Sequence, residues 1–419
     1  MSSFAFIDQL RVGLYVELDL PWTQHPFSFS SFKIKNDEQI RQLHQLGLEK
    51  VRYDPRRSSA LPLPLPEASD SPPPPLPALP PDDPLLLAKQ ERGAYLANYR
   101  AAVAQAEQAL HRAVMEVRRI IGRCTTEPKS AIDDATRLVD DIAGDYFGHP
   151  DAVIHAMGES GHQDSLYHHG LNVTVLSLIM ARGLDLPAAQ IRTLGLGALF
   201  HDIGLHAIPS TLLRKIDPLS AGEIKLRQTH CEQGVELGKK LGFAPEVLDI
   251  IAQHHELMDG SGYPKQLRGE QIAPLARLVE VANRYDSLCN PTMPSKAKTP
   301  HEALSYMFAQ QASKHDPLMM RQLIRSLGVY PPGTLVHLSN GATALVTSVN
   351  PARPLKPALI VYEASVPREE AIIIDLDQEP DVQIAHALNP NQLPRSIYDY
   401  LCMRKHVSYY FGEGSLGNA

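Results

Sequence analysis

Between Leu61 and Pro84 the chain is rich in leucine and proline, with Pro72 to Pro75 in an unbroken run. Proline fixes φ and carries no amide donor, so such a stretch cannot lie inside a helix or a sheet. It reads as a semi-stiff, extended spacer over residues 59–84. Docking into a partner's aromatic groove is the alternative, and a plain spacer is the simpler reading. A chain of 419 residues cut in this way must fold as separate parts on either side.

Before the spacer, residues 1–58 read as a small α+β domain. Val12, Leu14, Val16 and Leu18 alternate with other residues, as do Phe27/Phe29 and Phe32/Ile34, so these are expected strands. Ile40, Leu43 and Leu46 fall at helical spacing, and Val51-Arg52-Tyr53 can close the unit as a strand. After the spacer, 85–130 is expected to be a long helix. Leu96, Tyr99, Val103, Ala106, Leu110, Ala113, Val117 and Ile120 make a heptad seam. That seam points either to a homodimer or to packing on its own domain, and its alanines make a weak zipper. We take the homodimer as the expectation.

Residues 131–330 read as almost all helix. Leu171, Val175, Leu178 and Ile179 share a face. Ser220 with Glu223, and Thr299 with Glu302, have the capping-box pattern. The pattern changes after Tyr330-Pro331-Pro332-Gly333. Leu335–Leu338, Ala342–Val349 and Leu359–Tyr362 look like strands, with Asn340-Gly341 as a hairpin turn. This gives a small β appendage over 331–380 and a tail over 381–419. The fold class is therefore mainly α, a helical bundle with a small α+β domain before it and a small β appendage after it.

Charge and cysteine usage narrow the function. A net charge of −7 argues against a nucleic-acid binder, which needs a basic face. Cys124, Cys231, Cys289 and Cys402 show no CxxC spacing, so a reducing compartment is expected and a thiolate metal site is not. No secretory leader and no membrane span is evident, and the expected location is the cytoplasm.

The chemistry lies in the histidines. Of eighteen, His25, His44, His111, His301 and His406 need no special role. His169, His201, His230, His254 and His255 differ, because each lies in the helical region near a carboxylate, another histidine or a loop glycine. Imidazole and carboxylate together suit a borderline divalent ion. Asp202, beside His201, can bridge two ions, and two ions can activate water for in-line attack on a phosphodiester. Gly260, Gly262 and Pro264 would shape a tight loop at the mouth of such a site.

These residues resemble the HD-GYP domain family of metal-dependent phosphohydrolases. The likeness runs from about Ser160 to Tyr330. It rests on His169, His201-Asp202-Ile203-Gly204, Ile208-Pro209, His230, His254-His255-Glu256, Asp259-Gly260-Ser261-Gly262-Tyr263-Pro264 and Arg284-Tyr285-Asp286-Ser287-Leu288. The N-terminal stretch Leu10 to Val16, with Trp22 to Phe27, is similar to a domain of unknown function that often precedes HD-GYP. The resemblance implies an HD-type helical bundle and hydrolysis of cyclic di-GMP. It also implies two divalent ions, iron or manganese before zinc or nickel. The implied ligands are His169, His201, Asp202 as the bridge, His230, His254 and His255. The family ties the Gly262-Tyr263-Pro264 loop to substrate and to contacts with diguanylate cyclase (GGDEF) domains. Asp259 is expected to orient a histidine or fix the loop, Asp286 to cap its helix or support the ligands, and Glu256 to be a structural partner.

Four positions depart from the family. Leu205 replaces a lysine after the His-Asp-Ile-Gly segment, and Asn283 replaces an aspartate ligand. Thr292-Met293-Pro294-Ser295 stands where an Arg-Pro-Tyr-Arg segment is usual, with Lys296 and Lys298 nearby. Ser165 stands where three-metal members have glutamate, which limits the site to two ions. Leu205 and Asn283 predict reduced catalysis. The alternative is a degenerate member that binds cyclic di-GMP or a GGDEF domain without hydrolysis.

Overall fold

The computed structural model describes residues 3–20, 25–27, 30–64, 84–144, 149–157, 165–215, 217–291, 293–364 and 366–401. Most of the proline-rich spacer, Trp22, Thr292 and residues 402–419 lie outside the described residues. The chain divides into two compact units, Met1–Asn98 with Ile360–Ile374, and Tyr99–Leu359 with Asp375–Ala419.

The first unit holds β1 (Ser3–Phe6), β2 (Tyr15–Glu17), β3 (Ser31–Lys33), α1 (Asp37–Gln45) and β4 (Lys50–Tyr53). The strands lie in the order β1-β4-β2-β3, with Ala5 opposite Val51 and Val16 opposite Tyr53. Leu14, Val16, Ile34, Leu43 and Val51 form its core. Asn36 starts α1, its Oδ1 accepting from the Gln39 amide at 2.9 Å. β1 has no counterpart in the alternation of the sequence, because Phe4 and Phe6 face outward and only Ala5 faces in.

α2 (Pro84–Arg123) carries the heptad seam. Leu96, Val103, Ala113, Val117 and Ile120 are fully buried within the single chain. α3 (Pro128–Ala143) fixes α2 through buried Asp134, which accepts from Arg123 Nη1 at 2.8 Å and Arg119 Nη2 at 3.3 Å. A heptad pattern shows that a stripe is covered, not what covers it, and this stripe is covered by its own chain.

There follow α4 (Pro150–Ala156), α5 (Ser165–Ala181), α6 (Ala188–Phe200), α7 (Ser210–Leu213), α8 (Ala221–Gln228), α9 (His230–Leu241), α10 (Pro245–Gln253), α11 (Pro274–Cys289), α12 (Pro300–Gln310) and α13 (Pro317–Leu327). Both expected capping boxes form, at Ser220/Glu223 and Thr299/Glu302. α5 is apolar on more than one face, since Leu171, Val173, Val175, Leu176, Leu178 and Met180 are all buried. A helix buried on so many sides lies at the centre of its bundle. It packs with α6 and α11 through a core that includes Leu194, Ala198, Leu278 and Val281.

The C-terminal strands are β5 (Leu335–Leu338), β6 (Thr343–Ser348), β7 (Ala358–Val361), β8 (Ile372–Asp375) and β9 (Ile384–Ala387). β5 pairs antiparallel with both β6 and β9, and Gly341 turns the β5–β6 hairpin at φ +92. The β region therefore runs beyond 380. β9 is half-exposed and lacks apolar alternation, so pattern alone does not reveal it. α14 (Arg395–Leu401) follows.

Candidate metal centre

Four helices bring the histidines together. His169 lies on α5, and His201 caps the C-terminus of α6. Asp202 precedes a 3-10 turn at Ile203–Ala207. His230 opens α9, while His254 caps α10 and His255 follows it. Gly204 lets the turn touch α9, because a β-carbon there would collide with the backbone of His230 and Gly234. That approach carries His230 up to Asp202.

Asp202 sits at the middle. Its Oδ1 lies 3.2 Å from His230 Nε2 and 3.5 Å from His254 Nε2. Its Oδ2 lies 3.5 Å from His201 Nε2 and 3.8 Å from His169 Nε2. Each carboxylate oxygen thus faces a different pair of imidazoles. Two sets of candidate donor atoms converge, Asp202 with His230, His254 and His255, and Asp202 with His169 and His201. His201 and His254 are fully buried, while the Asp202 side chain is 21% exposed and opens the centre to solvent.

The hydrogen bonds behind these rings fix their tautomers. His201, His230 and His254 each donate from Nδ1 to the carbonyl three residues earlier, on Ala198, Arg227 and Ile251, at 2.6, 2.7 and 2.9 Å. His169 Nδ1 bonds Asp286 Oδ2 at 2.6 Å. In the neutral ring, a proton on Nδ1 leaves a lone pair on Nε2. Two facing pairs result, His230 and His254 at 3.2 Å and His201 and His169 at 3.3 Å. Facing lone pairs repel unless something positive lies between them. A metal ion meets that need, so the residues fit a metal.

The charge state agrees. Burial works against ionisation of Asp202, but the imidazoles around it outweigh burial and hold its carboxyl well below the usual range. Burial pushes His201 down to about 3 and His255 well below its ordinary value, so both rings offer neutral nitrogens. His230 moves the other way, to about 10, because Asp202 overcomes burial. A proton and a metal ion are alternative occupants at that nitrogen.

The loop after α10 is held by Glu256, whose carboxylate accepts from the amides of Lys265 at 2.6 Å and Leu267 at 2.9 Å. Glu256 is thus a clamp, as its sequence position suggests. Gly262 is required, because a β-carbon there would collide with the backbone at His255 and Leu257. Gly260 turns the loop at φ +77, and the Tyr263–Pro264 peptide is cis. Tyr263 stacks on His255 with ring centroids 4.5 Å apart, which puts its ring at the centre's edge. Asp259 accepts from Ser261 through both its amide and its hydroxyl, so it shapes the loop.

Asp286 bonds His169, and Asn172 Nδ2 donates to Asp286 Oδ1 at 2.9 Å. Asn172 is absent from the sequence reading, although it lies one turn beyond His169 on the same helix face. Asn283 is buried beside His169, with Ser287 Oγ on its Oδ1 at 3.3 Å. Leu205 is buried in a small apolar cluster with Ile208 and Leu212. His206 stacks with Tyr167, ring centroids 6.3 Å apart, and burial lowers its pKa against the opposing charge of Asp202. The Ser165 side chain and Thr292 lie outside the described residues.

Three family models match the chain. They are an HD domain over residues 155–319, a domain of unknown function (DUF3391) over 6–135, and a KOW domain associated with HD domain over 335–396. Cyclic di-GMP phosphodiesterase PA4108 of Pseudomonas aeruginosa is 30% identical over 365 residues, which covers 85% of this chain and 84% of that protein. The cyclic di-GMP phosphodiesterase response regulator RpfG of Xanthomonas campestris is 36% identical over 149 residues, 35% of this chain and 39% of that protein. A 3'3'-cGAMP-specific phosphodiesterase 2 of Vibrio cholerae is 32% identical over 126 residues, 30% of this chain and 24% of that protein.

Proposed function

Since the chain belongs to the HD-GYP family of HD-domain phosphodiesterases, we propose that it hydrolyses cyclic di-GMP in a metal-dependent reaction. One observation carries the reading: the two oxygens of Asp202 face two separate sets of imidazoles. His230, His254 and His255 with Oδ1 would hold one divalent ion, and His169 and His201 with Oδ2 the other. A set of five imidazoles and one carboxylate suits a borderline divalent ion, and the family resemblance implies iron or manganese before zinc or nickel. Such ions supply a polarised phosphodiester and a water acidic enough to attack it at neutral pH.

The chain's own part is positional. The carbonyls behind His201, His230 and His254 keep their Nε2 atoms aimed inward, and Asp286 does the same for His169. The Tyr263 ring, stacked on His255, offers a flat face for a guanine at the mouth. The exposed rim of that loop, Ser261 and Lys265, is the surface a GGDEF-domain partner would take. Among the described residues no helix is long and apolar enough to cross a membrane. Cys124, Cys231 and Cys289 are free thiols, which suits the cytoplasmic setting proposed for it.

The test is metal content and turnover on one anaerobically purified sample, with cyclic di-GMP and 3'3'-cGAMP offered side by side. The expected result is two ions per chain and preferential hydrolysis of cyclic di-GMP. Metal-loaded protein that hydrolyses neither would sink the proposal, and preference for 3'3'-cGAMP would replace the substrate.

A further inference from the structure

The C-terminal sheet carries a histidine pair of its own. His337 on β5 and His386 on β9 lie directly opposite each other, the last regular pair before the register shifts at Leu338. Residues opposite one another in a sheet project to the same face, so the two rings stand side by side. Their centroids are 5.3 Å apart and their planes meet at 44°. The metal centre gives a measure for this spacing. There the facing rings of His169 and His201 are 5.1 Å apart, and those of His230 and His254 are 5.3 Å apart.

The pair sits where this face of the sheet reaches solvent. Leu335 and Leu388, two residues away along each strand, are joined by a backbone bond of 2.8 Å and line a cavity against α5 and α11. His337 is half-buried and His386 is exposed, so an ion can reach both. Among the described residues, neither ring has a carboxylate or hydrogen-bond partner, and each has the other as its ring contact. The χ2 torsion of histidine is broad, so each ring can turn a nitrogen toward a common point. Imidazoles without a carboxylate select borderline ions such as zinc, nickel or copper over magnesium or calcium, which want oxygen.

We propose that His337 and His386 form a separate site for one divalent ion of the zinc class, held by a nitrogen from each ring with water completing its shell, and that this ion ties β9 to β5. β9 is a strand of four residues at the edge of its sheet, with β5 as its neighbour there. A strand paired on one side opens more readily than one paired on both. An ion bound across the pairing binds the closed strand and not the open one, so it holds β9 in place by mass action. Nothing in this site depends on Asp202 or on the proposed hydrolysis.

The test is hydrogen–deuterium exchange of the full chain with and without Zn²⁺, read by mass spectrometry in peptides that cover β9. Zinc at ten times its dissociation constant should slow exchange there about 10-fold, and Mg²⁺ should leave it unchanged. His386→Gln, at an exposed position, should remove the slowing while exchange without zinc stays as in the wild type. His337→Gln should also remove it. All three chains keep the Asp202 centre, so any protection that zinc brings through that centre is common to them. Equilibrium dialysis should show one zinc fewer per chain in His386→Gln than in the wild type. No zinc-dependent slowing at β9 in the wild type, equal slowing in His386→Gln, or equal zinc content in the two chains overturns the site. Neither readout depends on turnover, so a failure to hydrolyse cyclic di-GMP would count only against the proposed activity.

Discussion

The two halves of the centre share Asp202 but are not built alike. On the Oδ1 side, His230, His254 and His255 converge on ring nitrogens backed by backbone carbonyls or buried beside them. On the Oδ2 side, among the described residues, stand His169 and His201, and a neighbouring polar group is the neutral Asn283. One half is supported mainly by main-chain carbonyls, which cannot be mutated away. In the other, His201 has the Ala198 carbonyl, but His169 depends on a side-chain relay, Asn172 and Asn290 to Asp286 to His169. The proposed ions should therefore differ in affinity, with the weaker at His169.

The largest expected effect comes from removing what the halves share. Asp202→Asn should lose turnover by about 10²–10³-fold or more and should lose both ions. Metal content measured beside turnover checks this. Retention of one full equivalent of metal would show that the carboxylate is not a bridge.

The next effect should separate the halves. Asp286→Asn keeps the size of the relay group but removes its charge. A change of this kind behind a metal-bound histidine weakens metal binding by about 10–100-fold. The loss should fall on one ion only, visible as a split of one titration into a tight and a weak phase. Equal weakening of both would mean that the halves communicate through Asp202 more strongly than their geometry suggests.

What could be read in advance follows the same divide. His201-Asp202 and His254-His255 are adjacent in the chain, and so is the loop to Pro264, so local sequence exposes them. The Asp286–His169 bond joins residues 117 apart, and no periodicity encodes it. The family likeness pointed to Asp286, but Asn172 and Asn290 became visible only with α5 and α11 in place. Burial direction escaped the pattern as well. The α2 seam was legible as a covered stripe but not as one covered by its own chain. β9 was lost because a half-exposed strand with two alanines and a histidine has no signal of its own.

A smaller gain should come from Asn283→Asp. It adds a charge beside His169 in the half that lacks one, and the affinity of the weaker ion should rise by about 10-fold. Metal titration against the wild type reads this directly. No change would show that the side chain serves Ser287 and the helix rather than the ion.

The smallest expected catalytic effect belongs to the position that looked most damaging in the sequence. Lysine is the family residue at 205, yet Leu205 is 2% exposed and packs with Ile208 and Leu212. Leu205→Lys would have to bury an ammonium group among these residues or strain the turn to reach water. It should cost about 1–3 kcal/mol of stability and leave turnover per folded molecule within about 2-fold of the wild type. Denaturant midpoints measured with turnover separate the two quantities. A marked rise in turnover would mean that the turn can swing residue 205 toward Asp202, and that the sparser half of the centre lacks a charge at 205 as well as at 283.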